Sequence, residues 1–226
     1  MNTHKLLFLL LISSTSLVSA ETNIEYHSTT SFKDVVGRDD AKQCFKQVIE
    51  KLKNPSNKEQ HTIGYIITGE SRTGKSYFVE ALGNEIENVL KKENSKFACF
   101  TVTLRYIKEL GGIKQFITKI KQNAPCLIHI DEIDLLLCQT YFNQSMQQLR
   151  ELFDFMQQPI SDDPNKQIII IVTPVGSNPN GMNAPDGEFK KLVTEYKDRI
   201  THFHFERPNL QERKEFLAKI LKRHTK

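Results

Sequence analysis

The chain has 226 residues and a formal net charge of +4, from 31 Lys and Arg against 27 Asp and Glu. That length suits one α/β domain with a small appendage, and so balanced a charge leaves no electrostatic footprint for nucleic acid. The four cysteines, Cys44, Cys99, Cys126 and Cys138, form no C-x-x-C pair, which argues against a zinc ribbon and gives no disulfide framework.

Residues 1–20 open with the short positive stretch "MNTHK", continue as the apolar "LLFLLLI" and end in the small residues "SSTSLVSA". That is the layout of a secretory signal, cleaved after Ala20. The apolar core is short for a membrane span of ~20 residues; the alternative is an uncleaved anchor over residues 6–20. Residues 21–30 are polar and read as a linker.

From Ser31 the pattern changes to alternating helices and strands. Asp39 or Asp40 can cap a helix through Leu52, with Pro55 ending it. "TIGYIIT" (62–68) reads as a buried strand, and residues 76–92 carry apolar positions at helical spacing. "KFACFTVT" (96–103) is a second strand, "GGIKQFITKIKQN" (111–123) an amphipathic helix, and "CLIHI" (126–130) a short, wholly apolar strand. A helix follows over 143–158, then "QIIIIVT" (167–173), whose β-branched run predicts a central strand. "ITHFHF" (200–205) closes the set of strands. Asn209 followed by Glu212 predicts a capping-box start to a last helix over 209–224. Five such strands separated by helices imply a parallel sheet covered on both faces. Ligands of such sheets bind at the carboxyl ends of the strands.

One of those ends carries "GESRTGKS" (69–76), which fits G-x-x-x-x-G-K-[ST]. Gly69 and Gly74 let the backbone turn so that N–H groups face phosphate oxygens, with Glu70, Ser71, Arg72 and Thr73 supplying the cradle between them. Lys75 reaches the β- and γ-phosphates, the Ser76 hydroxyl suits Mg²⁺, and Tyr77 opens a helix whose positive end favours anions. Without strand and helix around it, the same string is a Gly-rich turn with a solvated lysine. A second carboxyl end carries Asp131 and Glu132. Asp131 suits the Mg²⁺ shell and Glu132 suits the general base for water; the alternative is two acids in an ordinary first helical turn.

"SFKDVVGRDDAKQ", "LKNP", the phosphate loop, "NAPCLIHIDEID" and "RPNLQERKEFL", in that order, resemble the AAA ATPase module of membrane-anchored AAA proteases of the FtsH type. The resemblance implies a P-loop AAA+ core over 31–208, ATP and Mg²⁺ as cofactors, a polypeptide partner, and a homo- or hetero-oligomeric ring, with no nucleic acid. It places Val35, Val36 and Gly37 in an adenine pocket. It places a pore loop at "YIKELGG" (106–112), with Tyr106 as the grip on substrate, although Lys108 stands where the family has Gly; the alternative is a Tyr106 packed against the core or lying at a helix start. In the phosphate loop, Glu70 and Ser71 replace two prolines of the family.

Other differences bear on turnover. The family follows its fourth strand with a polar sensor, usually Asn. Here the chain reads Thr173-Pro174, so Thr173 must substitute, Asn178 and Asn180 being out of register. The arginine-finger pattern R-F-D-R is Tyr196-Lys197-Asp198-Arg199 here, which leaves Arg199 as the finger; the alternative is an Arg199 in a surface salt bridge. Only the first helix of the family's lid fits between Asn209 and Lys226, so a truncated lid is expected over 209–226, and no H-E-x-x-H occurs for a zinc protease. Two functions are consistent with this: an ATPase that remodels a protein partner, and a nucleotide-binding pseudo-ATPase acting as a regulatory or scaffold subunit.

Overall fold

The computed structural model describes residues 30–56, 61–90, 97–138, 142–175 and 186–224. The expected signal or anchor (1–20), nearly all of the linker, and Asn178 and Asn180 lie outside these residues. Among the described residues, no helix is long and apolar enough to cross a membrane.

In chain order the elements are α1 (Asp39–Lys53), β1 (Gly64–Gly69), α2 (Lys75–Leu90), β2 (Ala98–Val102), α3 (Leu104–Glu109) and α4 (Ile113–Gln122). They continue with β3 (Cys126–Asp131), a 3₁₀ helix (Ile133–Cys138), α5 (Phe142–Met156), β4 (Ile168–Thr173), α6 (Asp186–Tyr196), β5 (Thr201–Phe205) and α7 (Leu210–His224). The strands form one five-stranded sheet in the order β2-β3-β4-β1-β5, and every pairing is parallel. The expected α/β fold, a P-loop core with five parallel strands flanked by helices, is the fold observed.

β4 is the middle strand and is buried at every position from Ile168 to Thr173. Its run of β-branched residues suits a pleated surface packed on both sides. On one face α1 and α2 pack through an aromatic cluster: Phe45 lies 4.6 Å from Tyr65 and 5.8 Å from Phe78, and Phe78 meets Phe205 edge-on at 5.2 Å. Pairs of this kind contribute ~0.5–1.5 kcal/mol each beyond the burial of their area. On the other face α5 and α6 meet where Phe153 stands edge-on to Tyr196 at 5.4 Å and to Phe189 at 6.1 Å.

Sequence and structure differ locally. α1 is preceded by Arg38 at φ 63° and has no side-chain cap; Asp39 and Asp40 sit inside its first turn, where the helix dipole favours their charge. α3 occupies the segment expected to be a pore loop, started by Thr103, whose side chain accepts from the Tyr106 N–H. α6 is not among the expected elements, although its Phe189, Leu192, Val193 and Tyr196 fall at helical spacing and are buried. α7 begins as expected: the Glu212 N–H donates to Asn209 Oδ1 at 2.9 Å, and the Asn209 N–H to Glu212 Oε2 at 2.7 Å.

Sheet order positions the site. β4 lies between β1 and β3, so the phosphate loop after β1 and the acids after β3 flank the end of β4. The parallel register sets Asp131 beside Thr173.

Candidate nucleotide site

Gly69 leaves β1 at φ 142°, and a Cβ there would stand 2.2 Å from the Phe205 carbonyl oxygen. Only glycine lets the loop turn that close to β5. Arg72 and Gly74 follow at φ 67° and 90°. The Thr73 hydroxyl donates to the Glu70 carbonyl at 2.9 Å, and Lys75 Nζ donates to the carbonyls of Gly69 and Glu70 at 2.9 and 3.0 Å. Burial pushes the Lys75 ammonium below its ordinary pKa, against the opposing pull of Asp131 and Asp134. The Glu70 carboxylate forms an ion pair with Arg207, which ties the loop to the chain after β5.

Beside this loop are two adjoining clefts. The polar one, about 300 Å³, is lined by Ser71, Lys75, Ser76, Asp131, Glu132 and Pro174, among others. The other, about 470 Å³, is mainly apolar, and Val35, Val36, Pro208, Phe216 and Leu217 form much of its wall. Arg72, Gly74 and Tyr77 line both. An apolar slot joined to a polar, cationic one has the two-part chemistry of a nucleotide: a planar base at one end and phosphates at the other.

The sequence-derived candidates divide as follows. Val35, Val36, Thr73 and Tyr77 line the apolar cleft. Gly37 stands just behind it, with Glu212 Oε1 at 2.4 Å from where a Cβ would be. Arg38 holds this segment in place: its guanidinium donates to the carbonyls of Thr73 and Glu206 and lies 4.7 Å from the centre of the Phe205 ring. Nothing in the sequence marks Arg38 or Arg213 as cleft residues; for Phe216 and Leu217 the amphipathic pattern of α7 was the available signal.

Ser76 and Asp131 meet. The Ser76 hydroxyl donates to Asp131 Oδ2 at 3.1 Å. Asp131 Oδ1 accepts from the Glu132 N–H at 3.0 Å and from the Thr173 hydroxyl at 2.6 Å. Glu132 is exposed and sits at φ 56°, a left-handed position that costs a non-glycine residue ~1–3 kcal/mol and is tolerated mostly at functional turns. Hard oxygen donors from a hydroxyl and a carboxylate, open to one cleft, fit Mg²⁺, which keeps much of its water shell.

The structure displaces Thr173 from the cleft and sets the places of Tyr106, Tyr196 and Arg199. Thr173 does not face the cleft: it is fully buried, and its hydroxyl proton is committed to Asp131, so Pro174 and Val175 line the cleft instead. Tyr106 lies in α3, half-buried against the core, and burial raises its phenol pKa. Tyr196, in the place of the first finger arginine, is a core residue at 6% exposure, with its hydroxyl donating to Asp154 at 2.6 Å. Arg199 lines neither cleft. Its guanidinium lies 5.1 Å from the centre of the Tyr196 ring, with long contacts to Gln157 and the Glu195 carbonyl.

Residues 126–130, expected to be wholly apolar, hold His129 at 1% exposure. Burial pushes its imidazole down to about 4, partly opposed by Asp131, so it is neutral near pH 7. A lone polar residue inside an apolar strand was the signal for it.

The family description "ATPase family associated with various cellular activities (AAA)" matches residues 65–182. The chain belongs to the AAA ATPase family. Within it, the match resembles proteases of the FtsH type. Residues of this AAA chain are 34% identical over 130 positions to "ATP-dependent zinc metalloprotease FTSH 11, chloroplastic/mitochondrial" of Arabidopsis thaliana, covering 54% of this chain and 16% of that protein. They are 34% identical over 113 positions to "ATP-dependent zinc metalloprotease YME1 homolog" of Schistosoma mansoni, covering 48% and 16%. With "ATP-dependent zinc metalloprotease FtsH" of Trieres chinensis the identity is 30% over 112 positions, covering 46% and 16%. The chain thus spans about one sixth of the length of these relatives, and the matched part holds no protease domain. Among the described residues, no group of three or more His, Cys, Asp or Glu is placed to hold a metal.

Proposed function

We propose that this AAA chain binds ATP with Mg²⁺ and hydrolyses it to remodel a polypeptide partner within an oligomer. The observation that carries this reading is the placement of Glu132 at the mouth of a cleft also lined by Lys75, Ser76 and Asp131. A binding site alone needs no exposed carboxylate held in a strained turn beside the phosphate loop.

The roles follow from the chemistry of each group. Lys75 exchanges its bonds with the Gly69 and Glu70 carbonyls for phosphate oxygens. Ser76 and Asp131 hold Mg²⁺, which when bound neutralises phosphate charge and orients the chain of phosphates. Glu132 orients a water and takes its proton as the new O–P bond forms at the γ-phosphate and the bond to the β-phosphate oxygen breaks. Val35, Val36 and Phe216 enclose the base. The relatives' names include "ATP-dependent", in keeping with this reading. Leu210, Leu217 and Leu221 leave α7 with exposed apolar surface, the kind of surface that favours assembly. Arg199, also exposed, is available to a neighbour's site as a finger.

A second reading has its own support. Thr173 is turned away from the cleft, Pro174 offers no side-chain hydrogen bond, and Tyr196 is packed into the core. These favour a regulatory subunit that binds nucleotide without useful turnover. Phosphate release and fluorescent-ATP binding, measured on wild type and Lys75→Ala, separate the two. Binding and release both lost in Lys75→Ala support the ATPase; binding in wild type with no release supports the regulatory subunit.

A further inference from the structure

His129 is placed by the sheet to act on the metal-side carboxylate from behind. The parallel register sets Thr101 beside His129 and Asp131 beside Thr173. His129 and Asp131, two apart on β3, share a face, so Thr101, His129, Asp131 and Thr173 all lie on one side of three adjacent strands. His129 Nδ1 is 3.5 Å from Thr101 Oγ1, and its Nε2 is 2.9 Å from Thr173 Oγ1.

The order of protons along this row is forced. The Thr173 hydroxyl donates to Asp131 Oδ1 across 2.6 Å. That hydroxyl has one hydrogen. Its oxygen can therefore only accept from the imidazole, which puts the ring proton on Nε2. Nδ1 is left bare and accepts from Thr101.

We infer that His129 is a positioning residue for nucleotide-bound Mg²⁺: its Nε2–H fixes the Thr173 hydroxyl, which fixes Asp131 Oδ1 and leaves Oδ2 to Ser76 and the metal. This rests on the reading of Ser76 and Asp131 as the Mg²⁺ site. It also gives Thr173 a role without contact with nucleotide. Partners one shell out from a metal ligand change metal affinity by roughly 10–100-fold when removed, and hydrogen bonds in a buried row polarise one another.

The first test needs no nucleotide. In the full chain labelled with ¹⁵N at histidine, two-bond N–H correlation at pH 7 should show His129 as the Nε2–H tautomer. The Nδ1–H tautomer, with Nε2 bare toward Thr173, would overturn the inference. The second test titrates Mg²⁺ at fixed ATP, reading fluorescent-ATP binding with and without the metal. In His129→Phe, which keeps the ring shape and removes the donor, the Mg²⁺ concentration at half-effect should rise roughly 10-fold or more, with metal-free binding unchanged. His129→Gln, whose amide can donate from nearly the same place, should recover most of the loss, which a space-filling role would not require. Thr173→Val should repeat the defect and decides the matter if His129→Phe does not fold. Wild-type Mg²⁺ dependence in both His129→Phe and Thr173→Val would overturn the inference and leave the Mg²⁺ site standing. A wild type that binds ATP no better with Mg²⁺ would remove the site and the role of His129 together.

Discussion

The Ser76 hydroxyl donates to Asp131 Oδ2 across 3.1 Å, joining the end of the phosphate loop to the end of β3, 55 residues away in sequence. These two oxygens, on the same cleft as Lys75, are the donors that would hold a hard cation such as Mg²⁺ if one binds there. Asp131→Asn keeps the size of the side chain and removes its charge. It should abolish the Mg²⁺-dependent part of ATP binding and leave the metal-free part within about twofold. Isothermal titration with and without Mg²⁺ checks this; equal losses in both would mean that Asp131 holds the loop and not the metal.

Gly69 and Phe205 limit the phosphate loop from the other side. Gly69→Ala places a Cβ against a backbone oxygen and at a φ of 142°, and neither can be relieved by a side-chain rotation. The expected cost is about 2 kcal/mol or more, read as a lower urea midpoint, together with weaker ATP binding. A midpoint unchanged from wild type would show that the close approach of β5 is wrong.

α7 forms one wall of the apolar cleft, and its start is held by the reciprocal bonds of Asn209 and Glu212. Lys219 adds a tie, donating to the Lys33 carbonyl at 2.8 Å. Asn209→Ala should cost ~1 kcal/mol of stability and weaken adenosine nucleotides more than it weakens inorganic triphosphate. Equal weakening of the two would detach α7 from base recognition.

Tyr196 gives a pH prediction. Burial and the hydrogen bond to Asp154 push its phenol up to about 12. Its folded pKa is thus above the unfolded value of ~10, so the folded state keeps the proton longer. Its contribution to stability is complete below about pH 10 and is lost as the pH rises through about 12. Tyr196→Phe should lower stability at pH 8 by ~1 kcal/mol and remove that part of the alkaline slope. Tyr196→Arg should destabilise by ~3 kcal/mol or more, because it buries a charge beside Phe153, and should not raise turnover. Thermal melts from pH 8 to 11 read all three effects.

The fold was legible because most of its strands are short apolar runs alternating with helices, and β4, buried throughout, is the plainest of those runs. The phosphate loop and the Asn209–Glu212 cap were legible because each depends on residue types at fixed spacing. Thr173, His129 and Tyr196 were not legible in the same way. Their roles depend on which side of a strand or helix a side chain leaves, and on partners more than 40 residues away in sequence for two of these contacts. Position in the motif suggested that Thr173 would face phosphate; in the structure it is buried, with its hydroxyl on Asp131. Likewise the family resemblance puts a loop around Tyr106, while the Thr103 cap starts a helix there.

Glu132→Gln tests the central claim most directly, because the change keeps shape and removes only the base. With the full chain at saturating Mg²⁺ and ATP, phosphate release by wild type should fall by ~10²–10⁴-fold in the variant, while ATP binding stays within about twofold. Measurable wild-type turnover that is equal in Glu132→Gln would contradict the assignment of Glu132 as the base, and with it the account of this chain as an ATPase built on that residue.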